Sequence, residues 1–232
     1  MVNYAWYKSS NPPVTNIIYP DTKDSASTSK YNNLGNRKIG YATSQLTGCT
    51  TVAIISDTAV FVAHLWDNLD FKDEFEGVSA KETTAEENGK ARKGFNDAEL
   101  GQFTAKMTKF FTTQTKGADG SIQGNSLLAH KNDLQSGKAY ITTPSNFKNL
   151  RKKPGSELLF PRQIAALSGL ITQFAGVGVA DIHVQSYNPW LSQSTAADSN
   201  ARGKALYLYD PADRTQNLWF EGTQQQGVPN PR

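Results

Sequence analysis

Two apolar, β-branched runs separated by three polar residues constrain the fold of this chain more than any other feature. Residues 50–55 read TTVAII and residues 59–65 read AVFVAHL, with Ser56, Asp57 and Thr58 between them. Two such runs around a short polar break predict a β-hairpin. Both runs are apolar at successive positions, which indicates that both faces of the hairpin are covered.

Two further segments have the apolar spacing of amphipathic helices. The first spans residues 96–116 and begins at a capping box formed by Asn96 and Glu99. The second spans residues 160–175 and has Pro161 in its first turn, and a glycine follows each helix. The predicted buried stripes are Leu100, Phe103, Met107 and Phe110 in the first helix, and Ile164, Leu167, Ile171 and Phe174 in the second.

The remaining apolar runs predict strands around these helices, without the βαβ alternation of a parallel sheet. The predicted strands are residues 14–19, 138–142, 177–187, 205–209 and 218–220. Polar residues 25–36 are predicted to form a loop. The pattern predicts an α+β fold: one domain over residues 1–232, a mostly antiparallel or mixed β-sandwich with two main helices packed outside. Residues 1–40 and 223–232 are expected to be irregular.

Composition excludes several classes of function. The 232 residues are 38% hydrophobic and 19% charged, and no apolar run is long enough to span a membrane. The single cysteine excludes an internal disulfide and a cysteine zinc cluster, and three histidines leave little for a metal site. We therefore predict no cofactor and no metal. A net charge of +3 does not indicate nucleic acid as a partner. The first residues lack the basic and apolar regions of a signal peptide.

The predicted hairpin brings the only cysteine towards a histidine. If the chain turns tightly at Ser56 and Asp57, His64 lies directly opposite Cys49 on one face of the sheet. A slip of one residue would place the two side chains on opposite faces.

A thiol beside an imidazole can act as a nucleophile, because the imidazole takes the thiol proton and later protonates a leaving amine. Gly48 permits close approach of a substrate, and peptide N–H groups around Gly48, Cys49 and Thr50 are candidate oxyanion donors. Thr43 lies six residues before Cys49 and is a candidate for the group that orients His64. The alternative from the spacing alone is a small core cysteine and a hydrogen-bonded core histidine.

The string Leu46-Thr47-Gly48-Cys49-Thr50-Thr51, with a histidine fifteen residues after the cysteine, resembles the catalytic hairpin of cytotoxic necrotizing factor-type glutamine deamidases. The wider superfamily includes chemoreceptor glutamine deamidases and a bacterial lethal factor that modifies a translation helicase. Its members commonly have serine where this chain has Thr47. In two branches a threonine six residues before the cysteine completes the site, and Thr43 has that offset. In the necrotizing factor branch an upstream backbone carbonyl orients the histidine instead. The resemblance covers about residues 43–64.

The resemblance implies a protein-glutamine deamidase of toxin or effector type, with Cys49 as nucleophile and His64 as proton carrier. It implies a thioester intermediate and a side transglutaminase activity. The partner would be a protein that presents a glutamine, with small GTPases as one candidate class. It also implies secretion or delivery into a reducing compartment such as a host cytosol.

Two other functions stay open at this point. A cysteine peptidase or another thiol acyl-transferase could use the same pair of residues, and His183 is an alternative partner for Cys49. A non-enzymatic binding module could use the acidic segment 67–88 or the basic segment 148–153 as its contact surface.

Overall fold

The computed structural model describes residues 16–17, 27–43, 46, 48–65, 96–116, 122–145, 158–187 and 204–231. The acidic segment 67–88 and the basic segment 148–153 lie outside the described residues.

Strands and helices alternate irregularly along these residues. In chain order the strands are β1 (Asn16–Ile17), β2 (Thr28–Asn33), β3 (Ile39–Thr43), β4 (Thr50–Ile55), β5 (Ala59–Leu65), β6 (Thr115–Lys116), β7 (Ile122–Gly124), β8 (Lys138–Pro144), β9 (Ile182–Tyr187), β10 (Ala205–Asp210), β11 (Thr215–Phe220) and β12 (Thr223–Gln224). The helices are α1 (Asp97–Thr112), α2 (Lys131–Leu134) and α3 (Pro161–Ala175), and 3-10 turns lie at Leu128–His130 and Val179–Asp181.

Two five-stranded sheets pack face to face, and the helices cover the outer face of one of them. The first sheet has the order β2-β5-β4-β8-β9 and the second has the order β1-β3-β10-β11-β12. Pairing is antiparallel except between β1 and β3 and between β8 and β9. The prediction of an α+β fold is confirmed, as is the predicted hairpin of β4 and β5.

The central hairpin is apolar at successive positions because each of its faces meets a different layer. Val52, Ile54 and Phe61 pack in a core shared with α1 and α3. Ile55 and Val60 pack in a second core, which lies between the two sheets. The residues that they contact there from the second sheet are Tyr41, Tyr207, Tyr209 and Leu218. Alternate residues of β4 and β5 thus face the helices and the second sheet, as the period of two requires.

The two main helices begin and pack as their sequences predict. Asn96 and Glu99 form the capping box of α1, with both hydrogen bonds at 3.0 Å. Pro161 starts α3, and Gly176 ends it at φ +77°, a left-handed conformation that glycine adopts without strain. α1 ends at Thr112 rather than at residue 116 because Thr115 and Lys116 form β6 with β7. The α3 stripe is buried as predicted, and in α1 Phe111 is more deeply buried than Phe110.

Two local predictions are wrong. Residues 28–33, expected in a loop, form the edge strand β2 against β5. The strand expected over 177–187 is confined to Ile182–Tyr187, after the 3-10 turn. In the C-terminal stretch, expected to be irregular, Thr223 and Gln224 form β12, and the described residues after them have no helix or strand. Gln216 Nε2 donates to the Pro229 carbonyl in this stretch at 2.9 Å. Among the described residues, no helix is both long and apolar enough to cross a membrane.

Candidate active site

The register of the central hairpin differs from the expected one by two residues. His64 lies opposite Thr51, and not opposite Cys49. The loop consists of Asp57 and Thr58, because Ser56 closes it. The Ser56 N–H donates to the Ala59 carbonyl at 2.9 Å, and the Ser56 hydroxyl accepts from the Ala59 N–H at 2.9 Å. The predicted tight turn at Ser56 and Asp57 is therefore wrong.

A shift of two residues keeps every side chain on its predicted face, because the side-chain period of a strand is two. His64 faces the second sheet together with Val60 and Val62. Cys49 directly precedes β4 and is two residues before Thr51, the cross-strand neighbour of His64. Extended by one residue, the β4 ladder would make Cys49 a diagonal neighbour of His64, a relation in which backbones lie about 7–8 Å apart, within reach of long side chains.

His64 belongs to a polar row that crosses the first sheet and faces the second. Register places Thr28 and Thr51 on either side of His64, then Thr142 beside Thr51 and Gln185 beside Thr142. Gln185 Nε2 donates to Thr142 Oγ1 at 3.1 Å. His64 has no exposed surface, and Thr28, Thr51 and Thr142 are buried. We call Thr28, His64, Thr51, Thr142 and Gln185 the polar row. Burial of several adjacent polar groups is costly unless they bind one another or a ligand.

Cys49 lies beside the polar row in a small apolar cluster. It packs with Leu46, Tyr187 and Phe220, and the rings of Tyr187 and Phe220 meet edge to face at 5.9 Å. The Tyr187 hydroxyl donates to the Cys49 carbonyl at 2.7 Å. Cys49 is 5% exposed. The close approach of a substrate expected at Gly48 meets a barrier here, because the cysteine is covered by side chains from β9 and β11.

Thr43 lies across the interior from the polar row. It ends β3, is buried, and its Oγ1 accepts from the Ala205 N–H at 3.2 Å. Thr43 and Thr51 both line a cavity of about 30 Å³ between the two sheets. A cavity of this size has room for about two water molecules. Thr43 thus shares a cavity with one member of the polar row, and its role in orienting His64 stays a prediction.

Two of the candidate oxyanion residues, Gly48 and Thr50, differ in their geometry. Pairs of an antiparallel ladder alternate between hydrogen-bonded and non-hydrogen-bonded, and the Ser56–Ala59 pair is hydrogen-bonded. The Thr50–Leu65 pair is therefore also hydrogen-bonded, so the Thr50 N–H points to β5. The Thr50 hydroxyl lies 3.0 Å from that of Thr143, on the helix side of the sheet. This geometry does not favour Thr50 as an oxyanion donor. Gly48 is buried beside Cys49.

The other two histidines lie elsewhere. His183 is exposed on β9, two residues before Gln185, beside Tyr140 of β8. Its ring stacks on the Tyr140 ring at a centroid distance of 5.1 Å. The ring of His130 stacks on that of Tyr31 at a centroid distance of 3.4 Å. Burial lowers the pKa of His130, although the nearby Asp133 carboxylate acts in the opposite direction. In the described part of the chain, no group of three His, Cys, Asp or Glu side chains is placed to hold a metal ion.

Sequence reasoning missed Tyr187, Gln185 and Thr28. Each is distant from Cys49 in the chain and reaches the site only through strand pairing. Gln185 and Tyr187 are two residues apart in a predicted strand and therefore share one face of it, and this spacing is the signal that the sequence offers for them.

No family model matches the chain, and no curated protein is significantly similar to it.

Proposed function

We propose that this chain is a cysteine-dependent protein-glutamine deamidase of toxin or effector type, related to the cytotoxic necrotizing factor-type deamidases. The observation that carries the proposal is that Cys49 packs against Phe220 of the second sheet and lies two residues before Thr51, the cross-strand neighbour of His64. The cysteine therefore lies beside the polar row, in which His64 is fully buried. A register shift of one residue would have placed the two side chains on opposite faces of the sheet. The observed shift is two residues, which keeps both side chains on the face that meets the second sheet.

The reaction needs only these two groups, a glutamine side chain and water. The Cys49 thiol gives its proton to His64, and its sulfur forms a bond to the amide carbon of the glutamine. The carbon–nitrogen bond then breaks, and His64 returns the proton so that ammonia leaves. Water adds to the thioester, His64 takes its proton, and the carbon–sulfur bond breaks. The products are glutamate in the target protein and a regenerated thiol.

The polar row supports this role because an imidazole that gains and loses a proton needs neighbours that tolerate both charge states. Thr28 and Thr51 flank His64 with hydroxyl groups, which can donate or accept a hydrogen bond. Apolar neighbours at these two positions would penalise the charged imidazole by desolvation. Thr43 lies on the facing sheet and lines, together with Thr51, the cavity between the two sheets.

The cover over Cys49 means that the substrate must displace side chains. Leu46, Tyr187 and Phe220 pack on the cysteine. A glutamine side chain is long and narrow, and the proposal requires it to enter between these groups. Its carrier is a target protein, for which small GTPases are one candidate class, and a reducing compartment would keep the thiol reduced.

The test is a proteome-wide search for deamidation. A cell lysate is incubated with the wild-type protein or with Cys49→Ser, and peptides are analysed by mass spectrometry. The proposal predicts a one-dalton gain on a glutamine that is absent with Cys49→Ser and with His64→Ala. New chain termini instead of mass gains would indicate a cysteine peptidase, and an unchanged proteome would overturn the enzymatic proposal.

Burial of the pair favours a second candidate. With Cys49 5% exposed and His64 fully buried, the chain can be a non-enzymatic binding module in which both residues are core. This candidate predicts that Cys49→Ala changes stability and leaves every lysate protein unmodified.

A further inference from the structure

The strand pairing beside Cys49 stops at a proline. β4 and β8 are paired as far as Thr51 and Thr142. Continued in the same register, the next hydrogen-bonded pair would join Cys49 to Pro144, the last residue of β8. Proline has no N–H, so it cannot donate to the Cys49 carbonyl.

The direction of the Cys49 carbonyl follows from the hairpin. Because Ser56 and Ala59 form a hydrogen-bonded pair, the even-numbered residues of β4 turn their backbone polar groups to β5. The odd-numbered residues turn their backbone N–H and carbonyl groups to β8. Cys49, which directly precedes β4, continues this odd-numbered series. Its carbonyl therefore points to the place where a donor on β8 would stand.

Tyr187 supplies the missing donor from one strand farther away. It lies beside Pro144 in the parallel ladder of β8 and β9, and its hydroxyl reaches the Cys49 carbonyl at 2.7 Å in a buried contact. The Tyr187 carbonyl in turn accepts from the Ser145 N–H at 2.8 Å. The side chain is 2% exposed, and its ring is held against Phe220.

We infer that Tyr187 is a positioning residue for Cys49. Its hydroxyl fixes the peptide plane that follows the cysteine, where the ladder cannot, and so fixes the direction of the thiol towards His64. Because a peptide is planar, holding the carbonyl also holds the next N–H against β5. This inference rests on the proposed function for its catalytic meaning, but its structural part is independent of that function.

The test compares Tyr187→Phe with a matched control. Tyr209→Phe also removes a tyrosine hydroxyl that donates to a backbone carbonyl, that of Gly35 at 2.9 Å, at the opposite end of β10 from Ala205. Two readouts are used. The first is the rate at which iodoacetamide labels Cys49 in the native protein, and the second is kcat and KM for deamidation of a target protein found in the lysate search. Both variants are first checked for folding by thermal unfolding.

Tyr187→Phe is expected to lower the labelling rate, and to lower kcat about tenfold with KM unchanged, as loss of one neutral hydrogen bond allows. Tyr209→Phe should change neither. A Pro144→Ala substitution in the Tyr187→Phe background restores an N–H opposite Cys49 and should recover most of both signals. This rescue also separates positioning from simple loss of folding.

Equal behaviour of Tyr187→Phe and Tyr209→Phe, or no recovery with Pro144→Ala, would overturn the inference. If the wild-type protein deamidates nothing, the proposed function fails, and the labelling comparison alone then decides whether Tyr187 positions Cys49.

Discussion

Removal of the Gln216 side-chain amide should strongly destabilise the sandwich, since this one buried group joins three parts of the fold. Its Nε2 donates to the Ser56 carbonyl in the central turn at 2.7 Å and to the Pro229 carbonyl at 2.9 Å. Its Oε1 accepts from the Tyr207 hydroxyl at 2.5 Å. Gln216→Met keeps a similar volume but leaves all three partners without this group. Each buried group left unsatisfied costs about 1–3 kcal/mol.

Two of these contacts are fully buried, so we expect a loss of about 2–6 kcal/mol in the free energy of unfolding. A loss of 3 kcal/mol corresponds to a fall of about 6–12 °C in Tm for a chain of this size. Urea unfolding followed by circular dichroism measures the change. The matched control is Gln224→Met, which removes an exposed amide bonded to Asn217 and should cost less than about 0.5 kcal/mol.

A Gln216→Met cost no larger than that of Gln224→Met would refute the reasoning. A double-mutant cycle sharpens the test. Tyr207→Phe and Gln216→Met together should cost less than the sum of the single variants, because they share one hydrogen bond.

Other predictions concern the helices and the buried tyrosines. Gly176→Ala should destabilise by about 1–2 kcal/mol, because φ is +77° and the new Cβ would lie 2.9 Å from Gln135 Cβ. Gly169→Ala, inside α3 and facing open space, should stabilise by about 0.5–1 kcal/mol. Asn96→Ala should cost about 1 kcal/mol through loss of the capping box. Burial raises the pKa of Tyr41 and Tyr140 from 10.0 to about 12. Their contribution to stability should therefore persist below pH 10.0 and fall as pH rises towards 12, which near-ultraviolet titration and unfolding at each pH can measure.

The sequence was sufficient to locate the elements that have strong local signals. The β-branched runs of β4 and β5 predicted the central hairpin, and the capping box predicted the start of α1. These signals are local, because a strand period or a helix cap is written within a few residues.

Elements that depend on distant partners were not predictable in this way. β2 is a polar strand, and it is held by β5 and by contacts to Asn125, whose N–H donates to Ser29 Oγ at 2.8 Å. Nothing near residue 29 in the chain indicates that partner. The turn at Ser56 depends in the same way on the Asp133 carbonyl, to which the Ser56 hydroxyl donates at 2.6 Å.

The candidate site was predictable in part for the same reason. Cys49 and His64 come from one hairpin, so parity along two adjacent strands placed them on one face in spite of the wrong register. The role of Tyr187 depends on Pro144 and on a sheet order that only the folded chain shows. The cover over the thiol also comes from β9 and β11, which lie far from Cys49 in the chain.

The most direct test of a reactive Cys49–His64 pair is alkylation of the native protein. Cys49 is the only cysteine, so one iodoacetamide adduct in an intact-mass spectrum reports on it alone. The account predicts slow but measurable labelling of the folded protein at neutral pH, because Cys49 is only 5% exposed, and markedly slower labelling of His64→Gln. Labelling that appears only after unfolding, at the same rate in both proteins, would contradict it.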